Sequence, residues 1–287
     1  MRLNPYESAP RGHVHGPADQ AAGLRHLLGR PALRVLPILG GGEAVGKSAI
    51  LMRLAQFAAP RQNVVVLDQS DGEMARQLGV AARADLQDLL SGERDFGSVV
   101  VRSGALRLVP ARRGLTNLLA AGAAGDEFFK GFLRLTEPAS LVLINLDDRE
   151  TRLPGIVHGG AGEVLLVTTP RTASMTAAYA RIKRLGADSS GTRCLVRILV
   201  NGAADLAEGQ RIFRALSDTA RSFLGIDPVF AGFLPAGAGG EPFGCSARLP
   251  APACVTALAQ VAASIASWRL AKCSLEADAH PANSHLQ

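Results

Sequence analysis

Short apolar runs separated by segments of helical spacing organise most of this chain. The runs at residues 33–39, 63–68, 105–109, 141–144, 164–168, 195–200 and 229–234 are rich in Val, Leu and Ile and read as buried strands. Apolar positions recur every three or four residues at 49–57, 86–90, 115–135, 174–185, 208–224 and 255–270, which predicts helices. Apolar strands alternating with helices predict an α/β fold: a mainly parallel twisted sheet with helices on both faces. Ligands bind such sheets at the carboxyl ends of the strands. Asp68, Asn145 and Asn201 each stand at the end of a predicted strand, so these distant residues are expected to converge on one pocket. Residues 1–18 are rich in Pro, Gly and His, and 274–287 are polar. The expected organisation is an N-terminal tail over 1–30, one domain over 31–272 and a disordered polar tail over 273–287.

Between the first strand and the first helix the chain reads GGGEAVGKSAI over residues 40–50, matching GxxxxGKS from Gly41 to Ser48. Strand, glycine-rich turn and helix are the context in which that pattern makes a phosphate loop. The glycines let successive main-chain N–H groups turn inward on the phosphate oxygens, Lys47 adds a mobile positive charge, and the Ser48 hydroxyl is suited to Mg²⁺. Gly41, Gly42, Glu43, Ala44, Val45, Gly46, Lys47, Ser48 and Ala49 are therefore the candidate nucleotide-binding residues.

Composition adds limits. The chain has 287 residues, 47% of them hydrophobic, enough for a substantial core. The formal net charge of +6 comes mostly from arginines that are dispersed along the chain, so nucleic-acid contact is not favoured. Four cysteines, Cys194, Cys245, Cys254 and Cys273, show no CxxC spacing, which argues against a zinc site or a disulfide framework. The opening MRLNPYES has no apolar signal core, and no apolar run approaches the roughly 18 residues of a membrane span. A cytoplasmic protein with free thiols is expected.

Three separated segments resemble the MinD/ParA class of P-loop ATPases and, more narrowly, the FlhG/FleN proteins that regulate bacterial flagellar number. Residues 19–25, DQAAGLR, fit a DQAxxLR element upstream of the first strand; residues 170–183, PRTASMTAAYARIK, look like PTSITDAYALIK. Val200-Asn201, Glu208-Gly209, Phe213, Phe223-Leu224, Gly232 and Pro235 follow the spacing of the carboxy-terminal half. The resemblance covers residues 19–270. It implies ATP or ADP with Mg²⁺ as cofactors, catalytic roles for Lys47 and Asp68, and Mg²⁺ held by Ser48 with Asp68 in its shell. It further implies an adenine edge read by the Asn201 amide, a base-packing loop at Pro235, and a nucleotide-dependent homodimer. Asp19 is suited to cap an amphipathic helix whose stripe is Leu24, Leu27 and Leu28. Two readings of that stripe stand: it docks on its own domain, or, as the resemblance implies, it meets an FlhF-like GTPase, with Gln20 and Arg25 as the polar groups acting there alongside Asp19 and Leu24.

The chain departs from the class pattern at three charged positions. Gly42 stands where a lysine reaches across the dimer to the other subunit's phosphates, Ser70 where a water-orienting aspartate is expected, and Asn145 where a strand-ending aspartate belongs. Glu43 adds a carboxylate beside the phosphate site and is compatible with nucleotide only if it points outward. Phosphoryl transfer depends on positioning water and neutralising charge, so binding with slow or absent hydrolysis is expected. Asp147 and Asp148 are placed to compensate for Asn145 from the following loop, and the alternatives are a local register in which Asp71 and Asp147 restore the set, an active ParA-type positioning ATPase, and a scaffold without ATPase chemistry. Ser174 or Thr176 is expected to cap the helix carrying Tyr179. The segment 255–270, with Val261, Ile265, Trp268, Arg269 and Leu270, reads either as the last core helix or as an amphipathic helix for peripheral contact with the inner membrane or cell pole.

Overall fold

The computed structural model describes residues 33–135, 139–150, 152–158, 162–187, 194–237, 239–245 and 251–273. The DQAxxLR segment and the tail from residue 274 lie outside them. Strands β1 (Leu33–Gly40), β2 (Val64–Asp68), β3 (Val101–Ser103), β4 (Leu106–Pro110), β5 (Leu141–Asn145), β6 (Glu163–Thr168), β7 (Leu195–Ala203) and β8 (Val229–Pro235) form one sheet in the order β3-β4-β2-β5-β1-β6-β7-β8. Only β3 pairs antiparallel along this path. A ninth strand, β9 (Ala271–Cys273), pairs antiparallel with Leu33 to Val35, while β6 pairs with β1 from Ile38 to Gly40. The last strand thus covers the part of the β1 edge that β6 leaves open.

Alternation along each strand sends neighbouring side chains to opposite faces. Val35, Val65, Leu67, Val142 and Ile144 belong to one core. Helices α5 (Arg112–Ala120), α6 (Ala123–Leu135), α8 (Thr172–Ala187) and α9 (Leu206–Leu224) supply residues to it. Leu36, Ile38, Val64, Val66 and Leu143 belong to the other, closed by α1 (Lys47–Ala58), the short α2 (Glu73–Gln77) and α10 (Pro252–Ser264). Three further short helices are α3 (Leu86–Leu90), α4 (Phe96–Val99) and α7 (Gly155–His158). The predicted two-faced α/β sheet is the architecture observed.

One predicted helix is corrected, and another takes the first of its two readings. The pattern over 115–135 spans two helices broken at Gly122, whose φ of 57° is the left-handed turn that lets α6 pack back on α5. The segment 255–270 is α10 followed by a 3₁₀ turn, Ile265–Ser267, and its apolar side chains Val261, Ile265, Trp268 and Leu270 are all buried. They pack with the core beneath β1 and β8, so this segment is the last core helix and not a membrane-facing one. Its end is fixed at the amino-terminal pole of the sheet. There Arg197 pairs with buried Glu163 and lies 4.6 Å over the Trp268 ring, and the Arg269 main-chain N–H donates to Glu163 Oε1 at 2.7 Å.

Candidate functional site

The phosphate loop joins β1 to α1 at the carboxyl edge of the sheet. Gly42 and Gly46 have φ of 94° and 76°, and Ala44 adopts 52°, the one non-glycine residue with positive φ among those described. Gly46 permits two things at once. It bends the chain into α1, and it leaves room for a neighbouring segment: a Cβ there would collide with the Phe243 carbonyl oxygen and stand 2.7 Å from Asn201 Nδ2. The Gly41 N–H is spent on Val167 O at 2.7 Å, which ties the loop to β6. From Gly42 to Ser48 the main-chain N–H groups donate to no acceptor among the described residues. An arc of unused amides at the start of a twelve-residue helix, with buried Lys47 and Ser48, fits the oxygens of a nucleotide phosphate. Glu43 is exposed.

Lys47 lies 9% exposed with its ammonium donating to Leu146 O and, at 2.8 Å, to Asp148 Oδ1. The same Asp148 oxygen would stand 2.5 Å from a Cβ on Gly40, so a carboxylate rests against the mouth of the loop. The segment that follows β5 is pinned from two other sides. The Asp147 N–H donates to Gln69 Oε1 at 3.0 Å, and Arg181 of α8 donates to the carbonyls of Glu150 and Asp147. Burial lowers the Arg181 pKa from its usual value, and the three acidic residues Asp148, Asp147 and Glu150 oppose that shift.

Adjacent β2 and β5 bring Asp68 and Asn145 into register, as predicted. Asp68 is 1% exposed and fully engaged: it accepts the Ser70 N–H at 3.0 Å, the Ser70 hydroxyl at 2.8 Å and Asn145 Nδ2 at 2.8 Å. Asn145 Nδ2 also lies 3.4 Å from Ser48 Oγ, whereas its Oδ1 is buried without a partner. Ser48 Oγ donates to Glu73 Oε2 at 3.0 Å. Glu73 was not among the predicted site residues. Its approach depends on the turn at Gly72, φ 70°, which folds the chain back toward α1; the adjacency of Gly72 and an acidic residue was the available signal, and a faint one. The alternative register is not observed. Asp71 is 85% exposed and pairs with Arg112, and Asp147 Oδ1 accepts the Arg149 N–H at 2.7 Å. Among the described residues no three Asp, Glu, His or Cys side chains converge in a metal cluster.

Asn201 is held within the fold. It is fully buried inside β7, which continues to Ala203, and its Nδ2 donates to Val45 O and Phe243 O, each at 2.9 Å. Its Oδ1 accepts the Phe243 N–H at 2.9 Å. Both amide hydrogens are engaged between the phosphate loop and the segment at 241–245, so reading an adenine edge would require the amide to release one of them. Pro235 ends β8, and its carbonyl accepts the Cys254 thiol at 3.5 Å. Cys245 Sγ contacts Ala44 O at 2.9 Å; burial pushes its thiol pKa up, Arg171 opposes this and Glu73 adds to it. Nor do Ser174 and Thr176 cap α8, which starts earlier: Ser174 Oγ joins Thr168 Oγ1 and the Thr169 N–H, each at 3.0 Å, and Thr176 donates back to Thr172 O. Asp19, Gln20, Leu24 and Arg25 fall outside the described residues.

No protein-family model matches the chain. In sequence it is 28% identical over 213 residues to the antiactivator FleN of Pseudomonas aeruginosa, covering 71% of this chain and 74% of FleN. In fold it is similar to a ParA family ATPase from Chlorobium tepidum, TM-score 0.59 at 18% identity, over 82% of this chain and 99% of that one. It is also similar to MinD of Aquifex aeolicus, TM-score 0.56 at 18% identity, over 82% and 97%. MinD of Pyrococcus horikoshii, solved with Mg-ADP, gives 0.55 at 15% identity over 81% and 96%. The fold is that of the MinD/ParA P-loop ATPases, and in sequence the chain is similar to FleN.

Proposed function

We propose that this chain is a nucleotide-binding regulator of flagellar number and placement that acts on an FlhF-like GTPase and hydrolyses ATP slowly or not at all. The observation that supports it best is the loop itself: unused amides from Gly42 to Ser48 wrapped around a buried lysine and serine. Gly42 to Ser48 would hold the phosphates of ATP or ADP, Lys47 would neutralise their charge and Ser48 would hold Mg²⁺. The bound cation would supply the charge compensation that phosphoryl transfer requires. Three features argue for poor hydrolysis. Asn145 is neutral, Ser70 is turned onto Asp68, and Asp71 faces solvent beside Arg112. Without a positioned carboxylate to orient water, the chain keeps the binding half of the chemistry and lacks the cleaving half.

Regulation through FlhF would run through residues 19–25, by the resemblance of that segment and by similarity to FleN. A nucleotide-dependent homodimer belongs to the same proposal, weakened by Gly42 in place of the trans-acting lysine. The ion pair between Lys47 and Asp148 favours a second reading, a scaffold that binds nucleotide weakly. Steady-state phosphate release decides on hydrolysis: the expected rate is indistinguishable from that of Lys47→Ala, and robust turnover lost on that substitution overturns the impaired-enzyme reading. Co-purification with FlhF, with and without residues 1–30, decides on the partner. Retained binding after truncation would defeat the assignment to the N-terminal segment.

A further inference from the structure

Replacement of a strand-ending aspartate by Asn145 removes one negative charge from the place where a divalent cation would accompany the phosphates. Asp68 is poorly placed to restore it, because Ser70 N–H, Ser70 Oγ and Asn145 Nδ2 all donate to its carboxylate. Direct ligation by Asp68 would break that set. Glu73 has the opposite character. Its Oε1 accepts from the exposed Gln77 at 3.3 Å, and its Oε2 sits 3.0 Å from Ser48 Oγ. That separation equals the edge of an octahedron with metal–oxygen bonds of about 2.1 Å, the geometry Mg²⁺ demands. A second observation concerns Asn145, beside Ser48. Asn145 is 0% exposed and its amide lies between Ser48 and Asp68, yet its Oδ1 has no partner. A buried amide oxygen costs free energy unless something donates to it, and a cation's water shell can do so.

We propose that Glu73 is the carboxylate that binds the nucleotide-associated Mg²⁺ together with Ser48, supplying from α2 the charge that Asn145 lacks. The inference rests on the nucleotide-binding reading. The ligand site is thereby moved from a strand end to the turn after β2, where Gly72 positions it. Asn145 becomes a neutral acceptor for metal-bound water, and Asp68 a structural anchor for both Ser70 and Asn145.

Titration calorimetry of full-length protein with ADP, in Mg²⁺ and in EDTA, tests this without any turnover. Wild type is expected to bind ADP about tenfold or more tightly in Mg²⁺ than in EDTA, and Glu73→Gln to lose that enhancement while matching wild type in EDTA. Mn²⁺ bound in the presence of ADP, followed by electron paramagnetic resonance, should show the same loss. An enhancement retained in Glu73→Gln overturns the assignment, as does a wild type that binds ADP equally with and without Mg²⁺; in both cases nucleotide binding itself survives. A wild type that binds no ADP under either condition overturns both readings together. Glu73 is exposed, so the variant should melt with wild type, and an equal melting temperature excludes unfolding as the cause.

Discussion

Asp148→Asn isolates the contact that most directly opposes nucleotide binding. In the structure the Lys47 ammonium is held by Asp148 Oδ1 at 2.8 Å, and this carboxylate leans on the mouth of the phosphate loop at Gly40. A phosphate must win that ammonium and tolerate a neighbouring negative charge. Coulomb's law at 2.8 Å gives about 6 kcal/mol for an effective dielectric of about 20, which is an upper bound. Asp148 keeps 33% of its side-chain surface in water, so screening brings the net value to about 1–2 kcal/mol. Substitution by the near-isosteric amide should therefore tighten ADP and ATP binding about 5- to 30-fold. Fluorescent nucleotide titration of wild type, Asp148→Asn and Lys47→Ala measures it. Weaker or unchanged binding in Asp148→Asn, with binding lost in Lys47→Ala, would refute the competition and make Asp148 a group that orients the lysine instead.

Asn201→Ala removes three hydrogen bonds and leaves Val45 O and the Phe243 main chain without them, so denaturant unfolding without nucleotide should show a loss of about 2–3 kcal/mol; unchanged stability with reduced nucleotide affinity would restore the adenine-reading role. Gly46→Val places a side chain against the Phe243 carbonyl at a left-handed φ, and calorimetry should find nucleotide binding abolished. Trp268→Ala should cost about 3–5 kcal/mol in thermal or denaturant unfolding, because the ring is buried under Arg197; a stable variant that instead loses liposome binding would reinstate the membrane helix.

Contiguous features were legible in the sequence. Gly41 to Ser48 lies between an apolar run and a helical one, and local chemistry alone builds that loop. Asp68 and Asn145 were also legible as neighbours, because strands buried on both faces place their ends on one edge of the sheet. Contacts made by segments returning from afar were not. Asn201 has the same local pattern whether its amide meets a base or Phe243, and the path of residues 241–245 decides between them. Glu73 reaches Ser48 only through the turn at Gly72, a backbone event that apolar periodicity does not encode. The fate of Trp268 likewise depended on the Glu163 and Arg197 pair, which lies on β6 and β7.

Saturable binding of Mg-ATP that depends on Lys47 is the central claim, and a calorimetric titration of wild type beside Lys47→Ala tests it most directly. The account predicts one site per chain in wild type and no measurable heat in the variant. No binding by wild type, or equal binding by both proteins, would contradict it.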